Sequence, residues 1–133
     1  FRLRGGHSAE VPIYSRSEGR AVGTRTVGPA DTVICEGFLL FYHSHIRHLF
    51  DLRIAIQLGK AQQFERRLAR QPEVDQHYLK NVIIPTCKRF MRAQSRRSHH
   101  VLDGTMELPA LREEVAGLVS AAREARLRSL SKV

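Results

Sequence analysis

The run Thr32-Val33-Ile34-Cys35-Glu36-Gly37-Phe38-Leu39-Leu40-Phe41 constrains this chain more than any other stretch. β-Branched residues suit a pleated, buried surface. A short run of them ending in an acid is how parallel α/β sheets bring a charge to a ligand at the carboxyl end of a strand. The glycine after the acid lets another group approach the backbone closely. Residues 32–36 therefore read as a buried strand, and Glu36 as the group it presents.

The flanking segments supply the remaining elements. Residues 11–14 form a short apolar stretch, and a polar turn over 15–20 leads into residues 21–27, which alternate like an edge strand. Gly28-Pro29-Ala30-Asp31 is a turn. Residues 43–50 read as a short helix with Ile46, Leu49 and Phe50 on one face, and residues 52–58 as the next strand. Residues 60–71 form a helix that buries Phe64 and Leu68 and that Pro72 stops. Residues 75–94 form a longer helix, which Pro85 must kink or interrupt because proline lacks the donor and clashes one turn back. Residues 100–102 are a brief strand ending in Asp103-Gly104. The final helix, 108–130, carries Leu111, Val115, Leu118 and Val119 on one face and runs into a basic tail.

Strand and helix alternating with short connections predict an α/β fold around a parallel sheet, here with three core strands. The 133 residues read as a single domain without repeats or linkers. No apolar run approaches the roughly 18 residues of a membrane span, so no membrane partner is expected. Cys35 and Cys87 lie in apolar surroundings without metal-type spacing. They read as reduced core residues of a cytoplasmic protein. Lys and Arg number 22 against 13 acids, a balance of +9 that attracts polyanions. The arginines are scattered, mostly as helical pairs, with no zinc finger and no RNP-type motif. That favours a phosphorylated small molecule over nucleic acid. His43, His45 and His48 do not complete a metal set, since only His45 and His48 share a helical face and no thiol or acid joins them.

The order of these residues resembles the uridine kinase family of P-loop nucleoside kinases, which takes in nicotinamide riboside kinases and, more distantly, phosphoribulokinases. Val11-Pro12-Ile13-Tyr14-Ser15 is similar to the family's Val-Pro-x-Tyr-Asp/Ser segment. Pro29-Ala30-Asp31 with Val33-Ile34-Cys35-Glu36-Gly37-Phe38-Leu39 resembles its Pro-Ala-Asp-x-(apolar)-Glu-Gly-Ile/Phe-Leu. Ile46-Arg47-His48-Leu49-Phe50 is similar to Val-Arg-Asp-Leu-Phe, and Arg66-Arg67-Leu68-Ala69-Arg70 to the Arg-Arg-x-x-Arg that opens the lid. Tyr78, Val82, Pro85 and Phe90 resemble Tyr-x-x-x-Val-x-Pro…Phe. Phe38-Leu39-Leu40-Phe41 and Leu102-Asp103-Gly104-Thr105 lean toward the nicotinamide riboside branch.

The resemblance implies a three-layer P-loop kinase-like fold, with residues 1–133 as the carboxyl-terminal part of one domain and a short lid over about 66–78. It implies ATP-dependent phosphorylation of a nucleoside, uridine or cytidine, at the 5′-hydroxyl. Glu36 becomes a ligand of Mg²⁺, which takes few protein oxygens and keeps several waters. Arg67 and Arg70 become catalytic groups that neutralise charge spreading over the transferred phosphoryl. Tyr14, Gln76 and His77 become contacts to the nucleoside. The alternative, residue by residue, is an acid capping a turn, arginines on a solvated helix face and a tyrosine at a core edge.

Departures from the pattern also set expectations. No GxxxxGK[ST] occurs in the 133 residues, and the resemblance places that loop and the general base before Phe1, so the fold should be incomplete at its start and the chain inactive alone. The lid is several residues shorter than usual. Gln71 and Gln57 stand where the family has Asp. Nicotinamide riboside as acceptor, or a non-catalytic relative that binds a nucleotide or a partner, are the rival readings. The resemblance leaves a homo-oligomer open.

Overall fold

A computed structural model describes residues 2–131; Phe1 and the end of the expected basic tail, Lys132 and Val133, lie outside the described residues. The chain divides into two compact units, with the boundary between Glu36 and Gly37.

The first unit is a hairpin. β1 (Ala9–Ser15) pairs antiparallel with β2 (Arg20–Val27). Gly19, at a φ of 65°, takes the left-handed position that the turn requires, and the Ser15 hydroxyl accepts the Glu18 N–H at 3.2 Å. Register slips between Ile13, opposite Gly23, and Tyr14, opposite Ala21, which leaves Val22 as the extra residue of a bulge. Glu10 and Thr26 hydrogen-bond across the strands. Both strands show mainly exposed residues.

One expectation fails here. Residues 32–36 form no strand and are exposed, Ile34 to 86%. A β-branched run becomes a strand when a neighbour satisfies its ladder. Among the described residues, no other strand pairs with it. Cys35 is consequently exposed rather than a core residue.

The second unit holds the parallel sheet. After the one-turn helix α1 (Ser44–Arg47), β3 (Ile54–Gln57) runs parallel to β4 (His100–Asp103), with Ala55 opposite Val101 and Ile56 opposite Leu102. The sheet therefore has two strands among the described residues, where three core strands were expected. The segment between them carries α2 (Lys60–Arg70), the single turn α3 (Gln76–Tyr78), a π-helical turn over Leu79–Ile83 and α4 (Ile84–Ser95). Asp75 caps α3 by accepting the His77 and Tyr78 N–H groups at 2.8 and 3.1 Å. α5 (Leu108–Leu130) follows, with Leu111, Val115, Leu118 and Val119 half-buried on one face as expected.

The π turn is the physical answer to Pro85. Proline cannot donate to the helix ladder and crowds the carbonyl a turn behind it. Widening the preceding turn removes that conflict and lets α4 start with proline in its first turn. Compared with the Tyr-x-x-x-Val-x-Pro spacing, this chain has one more residue between Val82 and Pro85. A π turn is where a helix absorbs one extra residue.

Ala55, Leu79, Ile84 and Leu102 form the buried apolar core of this unit. Beside them the one buried polar side chain among the described residues is Gln94, at 3% exposure. Its amide donates to the Phe38 carbonyl at 2.6 Å and accepts the Phe41 N–H at 3.0 Å. The turn after Gly37 is thus fastened to α4, and Phe38 and Tyr42 both pack edge-on against Phe90.

Candidate functional site

The carboxyl end of β3 hands the chain directly to α2. The Gln57 amide donates to Ser95 Oγ at 2.9 Å, and Ser95 donates in turn to the Met91 carbonyl at 2.9 Å. An aspartate at 57, the residue of the related pattern, could not donate there. Gln63 then folds back and donates to the Leu58 carbonyl at 2.6 Å, which secures the entry to α2. These contacts fix where the helix begins, and its last turn carries Arg67 and Arg70. Cations at a helix carboxyl terminus also suit the helix dipole.

Arg66, Arg67 and Arg70 line a cleft of about 470 Å³, with Leu58, Ile83, Ile84 and Cys87 on the other walls. Ile83 comes from the π turn and Ile84 and Cys87 from α4. None of the three guanidinium groups has an ion pair or side-chain hydrogen bond to another described residue. Three unpaired guanidinium forks beside an apolar wall form a receptor for phosphate or carboxylate oxygens.

The other expected site residues lie elsewhere. Tyr14 is on β1 of the hairpin unit, 63% exposed and directly after the register slip, a place where bulges re-aim side chains. Glu36 is exposed in irregular chain at the end of that unit, not at the end of a strand. Gln76 and His77 are exposed on α3 and do not line this cleft. The structure therefore gathers Arg66, Arg67 and Arg70 and leaves Gln76 and His77 off the cleft wall. Among the described residues no set of three His, Cys, Asp or Glu could hold a metal, and His43, His45 and His48 are exposed.

Sequence reasoning missed Ile83, Ile84 and Cys87 as cleft walls. Cys87 carried no signal beyond its apolar neighbours, although it lies three residues after Ile84 and so shares its helical face. His99 is structural: its Nδ1 accepts the Arg53 N–H at 3.3 Å, and Arg53 Nε donates to the Arg97 carbonyl at 2.8 Å. Burial, then the charges of Arg53 and His100, hold the His99 imidazole below its ordinary pKa.

Residues 1–96, which include the hairpin and the arginine cleft, match the Phosphoribulokinase / Uridine kinase family. The chain belongs to that family. Among individual relatives, a uridine kinase from Shewanella amazonensis is 39% identical over 69 residues, 51% of this chain and 32% of that protein. Uridine kinase-like protein 4 of Arabidopsis thaliana is 32% identical over 52% of this chain and 15% of its own length. A probable uridine-cytidine kinase of Caenorhabditis elegans is 33% identical over 48% of this chain and 26% of its own length. The matched segment thus spans a third or less of each of these relatives. Family membership makes this a kinase-like chain, and its α/β architecture with a parallel strand pair agrees with a P-loop kinase-like fold. Among the described residues, no helix is long and apolar enough to cross a membrane.

Proposed function

We propose that this chain serves ATP-dependent phosphorylation of a nucleoside, uridine or cytidine, at the 5′-hydroxyl. The observation that carries the reading is the cleft of Arg66, Arg67 and Arg70, unpaired and within the segment that matches the kinase family. In phosphoryl transfer the protein contributes mainly position and charge. Arg67 and Arg70 clasp the phosphoryl oxygens, with Arg66 beside them. Their charge counters the negative charge that spreads as the bond to the leaving oxygen lengthens.

Mg²⁺ supplies further neutralisation of the triphosphate when bound. It fits a site with a single protein carboxylate, because its remaining positions go to water and phosphate oxygens. Glu36, exposed and with its carboxylate accessible, is the residue that would hold it. Tyr14 offers an exposed ring for the base, and Gln76 and His77 offer polar contacts to base or ribose. ATP and a nucleoside are the partners of this reading, without nucleic acid or membrane, and its setting is the cytoplasm.

The test is a substrate panel on the protein in the length its gene encodes. ATP-dependent phosphorylation of uridine or cytidine supports the proposal. Turnover of nicotinamide riboside with neither of these accepted would overturn the acceptor, and the Leu102-Asp103-Gly104-Thr105 segment is the feature that favours that outcome.

A further inference from the structure

A second cleft, of about 670 Å³, opens at the carboxyl ends of β3 and β4 and shares Leu58 and Gln63 with the arginine cleft. Lys60 reaches it from the first residue of α2, and Lys88 and Arg92 from α4. Lys88 and Arg92 are four residues apart, so they stand on one helical face as like charges, an arrangement that repels. None of the three cations has an ion pair or side-chain hydrogen bond to another described residue. The one carboxylate in the cleft wall is Asp103. Its Oδ1 already accepts the Thr105 N–H and hydroxyl, both at 2.8 Å, and these bonds hold its pKa below the usual value. The cleft therefore carries three positive charges against one negative, with its repulsion unrelieved. Ile56, Leu58 and Met91 supply an apolar wall beside those charges. Open α/β sheets place ligands at the carboxyl ends of their strands.

We propose that this second cleft is an anion site in its own right, one that takes a phosphate monoester with an apolar or aromatic body. The phosphate lies among Lys60, Lys88 and Arg92, where its charge removes the like-charge repulsion. The body lies on Ile56, Leu58 and Met91. The site does not depend on Arg67 and Arg70, and it goes beyond the kinase reading, which leaves these cations without a task.

The test is an NMR titration of the 133-residue chain with phenyl phosphate and with inorganic phosphate as probes. Phenyl phosphate should shift the Lys88, Met91 and Asp103 amides in a saturable way and bind there more tightly than inorganic phosphate. Lys88→Gln with Arg92→Gln should weaken that binding by roughly tenfold or more and leave probe-induced shifts at Arg67 and Cys87 unchanged. Asp103→Asn keeps the acceptor for Thr105, removes the repelling charge and should tighten the same site. The substituted side chains, Lys88, Arg92 and Asp103, are exposed, so the fold should persist in the variants. No shift at these amides, or equal affinity in the Lys88→Gln/Arg92→Gln variant, would overturn the proposal. Absence of any probe-induced shift at Arg67 and Cys87 in the parent, with the Lys88, Met91 and Asp103 shifts present, would instead count against the kinase reading.

Discussion

The Gly104 N–H donates to the Gln57 carbonyl at 2.6 Å, which ties together the ends of the two parallel strands just where the chain enters α2. A Cβ at 104 would stand 2.7 Å from that carbonyl oxygen and 3.2 Å from Ile56 Cγ2. The oxygen cannot retreat without losing the hydrogen bond. Gly104→Ala should therefore destabilise the protein by about 1–3 kcal/mol, the usual cost of overpacking. Urea unfolding of the variant against the parent reads this directly, and an unchanged midpoint would contradict it.

Gln94 joins α4 to the turn after Gly37 through both ends of its buried amide. Gln94→Leu keeps the approximate volume but leaves the Phe41 N–H and the Phe38 carbonyl without these partners. The expected loss is about 1–3 kcal/mol per stranded group, and less where water reaches it. Gln94→Glu retains the acceptor but, when ionised, sets a negative oxygen against the Phe38 carbonyl, so its stability should improve as the pH is lowered. A denaturation series across pH distinguishes the two variants.

His99 predicts a pH dependence of the opposite sense. Its folded pKa lies below the ordinary 6.5, so between the two values the unfolded chain binds more protons than the folded one. The stabilisation is complete above the unfolded value and is lost as pH falls through the folded one. His99→Gln can still accept the Arg53 N–H and does not titrate. Melting temperatures taken from about pH 8 down to about pH 5 should fall less steeply in this variant than in the parent. Equal slopes would refute the assignment.

The helices were largely legible in the sequence because their bonds are local. The expected 108–130 helix is α5 residue for residue, and the expected 60–71 helix is α2 to within one residue. Pro85 announced an interruption, but that it would take the form of a π turn follows from the extra residue before it. The strand expected over 32–36 depended on partners distant in sequence, and its absence also exposes Cys35. Arg67 and Arg70 were recognisable as a helical cluster within a known order of motifs. The second cleft was not, because Lys60, Lys88, Arg92 and Asp103 come together only when α2, α4 and β4 are placed in space. The i, i+4 spacing of Lys88 and Arg92 was its one visible trace.

On the proposed function the α2 arginines clasp phosphate oxygens. Calorimetric titration with Mg–ATP of the protein in the length its gene encodes, comparing the parent with Arg67→Gln/Arg70→Gln, addresses this most directly. Neither side chain has an ion pair or hydrogen bond to another described residue, so the variant should melt near the parent temperature. ATP affinity should fall by roughly tenfold or more, the loss expected when charge-assisted hydrogen bonds are removed. Unchanged affinity in a folded variant would contradict it.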